Sequence, residues 1–157
     1  AKFGDNSKAV KSLICNGAVI NGHVKNSVIS PGVKIEAGAK VKNSIIFDDT
    51  IIRSNTKIDK SIIDKKVDIG HNCVIGHGDN LTSNFQKPDL VFSGLNIIAK
   101  QSTIPDNTTI GYNCRIFSYV GPQNFNTKHI PSGSTITSDS GIEVLQGNQA
   151  KIKRLND

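Results

Sequence analysis

An aliphatic residue returns every six positions through most of this chain, and that period constrains the fold more than any other feature. Ile29, Ile35 and Val41 keep the beat, and one position is then skipped. Ile46, Ile52 and Ile58 keep it again with the same skip, followed by Ile63, Ile69 and Ile75. Four places after most beats stands a small or β-branched residue: Val33, Ala39, Thr50, Thr56, Val67, Cys73. A helix repeats near 3.6 residues and a flat strand repeats at two, so neither carries a six-residue period. A chain that turns a corner every six residues does. Three short strands then close one triangular coil of about eighteen residues, and stacked coils form a solenoid.

Longer spacings give the same result. Ser12, Ser27, Ser44 and Ser61 each open an aliphatic pair, at steps of 15, 17 and 17 residues. Seventeen is one short of three hexads, which places a tight corner at Val41–Ser44 and at Ile58–Ser61. Equivalent residues of successive coils should form ladders about 4.8 Å apart, serine on serine, and Lys25 on Lys42 on Asp59. Isoleucine outnumbers leucine by 22 to 6. Its branched Cβ suits a pleated surface and leaves few rotamers to lose in a narrow prism. The abundant Gly and Asn suit the left-handed corners between short strands.

The reading is an all-β, single-stranded parallel β-helix forming one domain over 1–157. Its coils are placed at about 10–76 and 97–136. Between them the beat fails, and a loop near 77–96 should be ejected from the stack. The beat returns at Ile98, Ile104, Ile110 and Ile116, is interrupted by Asn124–Lys128, and gives a last hexad at Ile130 and Ile136. Residues 137–157 should form a cap or tail. The chain has no methionine and enters the repeat almost at once, so it reads as a piece of a longer protein.

A net charge of +6 favours anionic partners. Arg53, Lys57, Lys60, Lys65 and Lys66 fall within one coil and its next corner, and are the candidate anion- or effector-binding set. Aromatics are scarce and do not interleave with basic runs, which argues against nucleic acid. No stretch is long or apolar enough to span a bilayer as a helix. Three cysteines without C-x-x-C spacing fit a reducing cytoplasm better than a disulfide framework. Cys73 and Cys114 fall in the small inward slot and read as buried filler. His71 and His77 follow successive beats by two places and could face one groove as a catalytic base or metal ligands. His23 and His129 are distant in sequence, however, and no metal site is assigned.

The serine corners, Ile63-Asp64-Lys65, the Gly78–Asn84 loop and Ile104–Ile116, taken in that order, resemble a known segment. It is the C-terminal left-handed β-helix domain of bacterial glucose-1-phosphate adenylyltransferase (ADP-glucose pyrophosphorylase), matched over roughly residues 7–136. The resemblance implies the left hand of the helix. It implies a parent nucleotidyltransferase that joins ATP to glucose 1-phosphate for glycogen synthesis, with its catalytic domain and Mg2+ lying N-terminal to Ala1. It implies a regulatory and oligomerisation role for this module, sister subunits in a tetramer, and a sugar-phosphate effector near the domain junction. Ala99 stands where glycine is expected and Tyr112 where arginine is usual, so no anion-binding role is carried to that coil. No catalytic residue is assigned to this chain. A hexapeptide-repeat acyltransferase and a noncatalytic subunit of the same enzyme family remain the alternative readings.

Overall fold

The computed structural model describes residues 1–139, 141–146 and 151–154. Within them the chain winds round a triangular prism. Face A stacks Lys2–Phe3, Val19–Ile20, Lys34–Ile35, Ile51–Ile52, Asp68–Ile69 and Thr103–Ile104. Face B stacks Lys8–Val10, His23–Lys25, Lys40–Lys42, Lys57–Asp59, Val74–Ile75, Thr109–Ile110 and His129–Ile130. Face C stacks Leu13–Ile14, Val28–Ile29, Ile45–Ile46, Ser61–Ile63, Asn96–Ile98, Arg115–Ile116 and Thr135–Thr137. Each strand pairs in parallel with its equivalent one coil away, as Ile52 with Ile35 and Ile69, or Ile58 with Val41 and Ile75.

Pairing begins at Lys2, ahead of the boundary near residue 10 read from the beat. The first coil lacks the full isoleucine set that marks the others, so the sequence signal starts later than the fold. At the other end Gly141–Gln146 and Lys151–Arg154 extend face C antiparallel. The expected cap or tail over 137–157 includes 140, 147–150 and 155–157, which lie outside the described residues.

The beat residues are the core. Ile29, Ile35, Val41, Ile46, Ile52, Ile58, Ile63, Ile69, Ile75, Ile98, Ile104, Ile110 and Ile116 are all buried in one continuous cluster. Burying one such side chain contributes roughly 1.5–3 kcal/mol before chain entropy is subtracted. The small slot is buried too, with Ala18, Val33, Ala39, Thr50, Thr56, Val67 and Cys73 filling the corners.

The serines explain the short step. Each Oγ donates to the carbonyl two residues back, at 2.7–2.8 Å for Ser12, Ser27 and Ser44. Each also accepts the backbone N–H of the next serine in the ladder, at 3.1 Å for Ser27, Ser44 and Ser61. The hydroxyl thus does the work of the omitted corner residue. The corner residue before it takes a left-handed conformation, as Asn26 and Asn43 do at φ 48° and 52°, which asparagine tolerates better than most residues.

Residues 76–95 contain no strand. Two buried asparagines, Asn84 and Asn113, hold this loop to the stack, and a third, Asn96, ties the strand that follows it to the next coil. Asn113 accepts the Gly94 N–H at 2.7 Å and donates to the Leu81 and Thr82 carbonyls at 3.1 and 3.2 Å. Asn84 donates to the carbonyls of Asn113 and Ser134. Asn96 donates to the Gly111 carbonyl and accepts the Cys114 N–H at 2.7 and 2.8 Å. Among the described residues no buried side-chain polar atom lacks a partner.

Candidate anion-binding groove on face B

Alternation along a strand sends one residue inward and its two neighbours outward. On face B the outward residues therefore stack in two rows. One row holds Lys8, His23, Lys40 and Lys57, then Val74, Thr109 and His129. The other holds Val10, Lys25, Lys42 and Asp59. A groove of about 440 Å³ runs across these rows, lined by His23, Lys25, Lys40, Lys42, Lys57, Asp59, Val74 and Tyr112. Strand spacing keeps like charges roughly 5 Å apart, and a bound anion would relieve their mutual repulsion.

Tyr112 closes one end. It lies half-buried, and its hydroxyl donates to Asp59 Oδ2 at 3.1 Å, across the coil in between. That reach is possible because the intervening coil leaves the stack at Gly76. A Cβ there would sit 2.6 Å from the Asp59 carbonyl oxygen and 3.0 Å from Tyr112 Cε1, and Gly76 has φ +86°. Burial, and then the hydrogen bond to Asp59, push the Tyr112 phenol up, so it remains the donor. Asn43 Nδ2 also donates to Asp59 at 2.9 Å, and Lys42 Nζ stands 3.9 Å away. Lys60 Nζ sits 5.8 Å from the Tyr112 ring centroid, within cation–π range.

The structure divides the five cations singled out in the sequence. Lys57 lines the groove, and Lys60 borders it through Tyr112. Arg53 lies at the corner between faces A and B. It is held by Asp68 at 2.7 and 3.0 Å and meets Glu36 at 3.4 Å. The hydrogen bond and charge of Asp68 raise its pKa further, so its charge is already matched. Lys65 and Lys66 occupy the corner between faces C and A, after Ser61–Ile63 and before Asp68–Ile69. Proximity in sequence spread these residues round the prism instead of collecting them on one face.

Four basic groove residues were not in that set: His23, Lys25, Lys40 and Lys42. The available signal was the seventeen-residue step, which aligns His23 with Lys40 and Lys57. The Lys25, Lys42 and Asp59 ladder was legible as a stack, but not as a wall of a site. Tyr112 gave no signal, because its contact depends on where the loop leaves.

The two candidate histidines do not share a groove. His71 sits at the corner before Val74–Ile75, with Nδ1 2.7 Å from Ser54 Oγ and 3.9 Å from Glu36. His77 follows that strand and packs edge-on against His129, ring centroids 6.3 Å apart. Among the described residues no group of three or more His, Cys, Asp or Glu could hold a metal ion. Cys73 and Cys114 are buried in the small slot, and burial pushes the Cys114 thiol up to about 12. No helix among the described residues is long and apolar enough to cross a membrane.

A family model described as GlmU-like, C-terminal hexapeptide matches residues 1–86. The chain belongs to this hexapeptide-repeat family. Its left-handed β-helix is the prism described above. Among curated relatives, the glucose-1-phosphate adenylyltransferase of Acetivibrio thermocellus is 35% identical over 141 residues, covering 90% of this chain and 33% of the relative. The glucose-1-phosphate adenylyltransferase of Thermotoga neapolitana is 47% identical over 125 residues, covering 80% of this chain and 29% of the relative. This hexapeptide chain thus spans about a third of the length of the curated relatives it matches. Among solved structures, the acetyltransferase domain of PglB from Neisseria gonorrhoeae is 17% identical with a TM-score of 0.48, covering 85% of this chain and 52% of that one.

Proposed function

We propose that this chain is the C-terminal regulatory and oligomerisation module of a glucose-1-phosphate adenylyltransferase, with the face B groove as its anion site. The observation that carries this is the identity of 35–47% to such enzymes across 80–90% of the chain. The parent would convert ATP and glucose 1-phosphate to ADP-glucose and pyrophosphate, feeding glycogen synthesis. Adenylyl transfer and its magnesium belong, on this reading, to a preceding catalytic domain, and no magnesium site is assigned to the described residues. Exposed Leu13 and Ile45 on face C, with Phe47 and Phe117 just past its strands, supply an apolar surface for that domain or sister subunits. A cytoplasmic setting follows from the substrates.

The groove's role on this reading is regulatory because its one carboxylate, Asp59, is held by Tyr112 and Asn43 and is not poised as a base toward a bound anion. In the full-length enzyme, the double variant Lys40→Ala, Lys57→Ala should lose most of its response to a sugar-phosphate activator while its unactivated rate stays within about twofold. Pyrophosphate release measured with and without a sugar monophosphate, fructose 6-phosphate, reads both quantities. An activation ratio equal to that of the wild type would remove the groove from regulation, and a full-length chain without adenylyl transfer would remove the parent assignment.

A further inference from the structure

We propose that Asp59 is the specificity-determining residue of the face B groove, restricting it to anions whose charge is confined to one end of a neutral body. The proposal rests on the groove being an anion site and deepens that reading.

Charge along the groove changes coil by coil. The His23–Lys25 strand presents a lysine and a histidine outward, and the Lys40–Lys42 strand presents two lysines. On the Lys57–Asp59 strand the outward charges cancel. The next strand, Val74–Ile75, presents none, and Gly76 follows it. Among the lining residues the cations therefore end midway through the groove; beyond that point the lining is a carboxylate, a phenol ring and valine, and the one cation at that end, Lys60, lies against the Tyr112 ring.

Asp59 cannot readily swing away from a second anionic group. Its side chain is only 13% exposed. Asn43 Nδ2 and the Tyr112 hydroxyl fix its two oxygens separately, at 2.9 and 3.1 Å. An anion seated among Lys25, Lys40 and Lys42 is attracted. A second anionic group one coil further on would meet the fixed carboxylate, and like charges at such range repel. A neutral body carrying hydroxyls would instead find in Asp59 a hydrogen-bond acceptor and in Tyr112 a face to lie against. Asp59 excludes extended polyanions and accepts single-headed ones.

The test is titration calorimetry of this chain with orthophosphate and with pyrophosphate, in the wild type and in Asp59→Asn. The substitution is isosteric and keeps an oxygen acceptor and a polar partner for Asn43 and Tyr112. Circular dichroism checks the fold, and Asp59→Ser carries the same test if the amide disturbs it. Removing the carboxylate should shift the preference toward pyrophosphate by about fivefold or more relative to orthophosphate. Binding of both anions with an unchanged preference would overturn the role of Asp59 and leave the groove reading standing. Absence of binding in every form would overturn both.

Discussion

At the scale of single residues, position in the coil decides reactivity. Cys73 and Cys114 take the small inward slot, and burial raises both thiols, that of Cys114 to about 12. A thiol is nucleophilic only as thiolate, and a raised pKa keeps it protonated through neutral and mildly basic pH. Cys15 is half-buried on the first coils. An aromatic disulfide reagent at pH 8 should therefore titrate one thiol promptly in the native protein and all three in denaturant. Prompt titration of more than one would place Cys73 or Cys114 outside the core. The inward slot was readable from sequence, because it falls four positions after each beat. The pairing of Arg53 with Glu36 and Asp68 lies seventeen and fifteen residues away, so the coil step held that information too. The bond from Tyr112 to Asp59 did not follow from periodicity, because it spans the coil that the 76–95 loop interrupts.

Among the elements, the excursion from Gly76 to Leu95 is held more firmly than its turn-rich sequence suggests. Its bounds were legible, since the aliphatic beat stops at Ile75 and resumes at Ile98. Its anchors were not, because Asn84 and Asn113 look like turn formers until the stack brings them together. Asn113→Ala would strip a partner from the Gly94 N–H and from two loop carbonyls. The buried Gly94 N–H left without a partner costs about 1–3 kcal/mol. Local opening should then outpace global unfolding, and chymotrypsin should cut at exposed Leu90 or Phe92 at least about tenfold faster than in the wild type. Timed digestion followed by mass spectrometry reads the site and the rate. Equal cutting rates would assign the anchoring to Asn84 alone.

For the whole molecule, stability comes from stacking, because no coil closes a core by itself. Ile52 lies fully buried in the middle of a cluster that runs from Ala18 to Ile142. Ile52→Ala should cost about 2–5 kcal/mol and lower a single denaturation midpoint followed by circular dichroism. A second transition would show that the coils on either side of residues 76–95 unfold as separate units. The triangular architecture was legible because the spacing repeats. The hand of the coil was not, since a period carries no chirality and the family supplied it. The common register has one more consequence. A complete seventeen-residue turn is an interchangeable part: excised between two equivalent serines, it would let the remaining stack reseal with every ladder in line. Loss of one residue inside a face would instead turn the aliphatics outward from there on. The reach of such a module can therefore change in evolution only by whole turns.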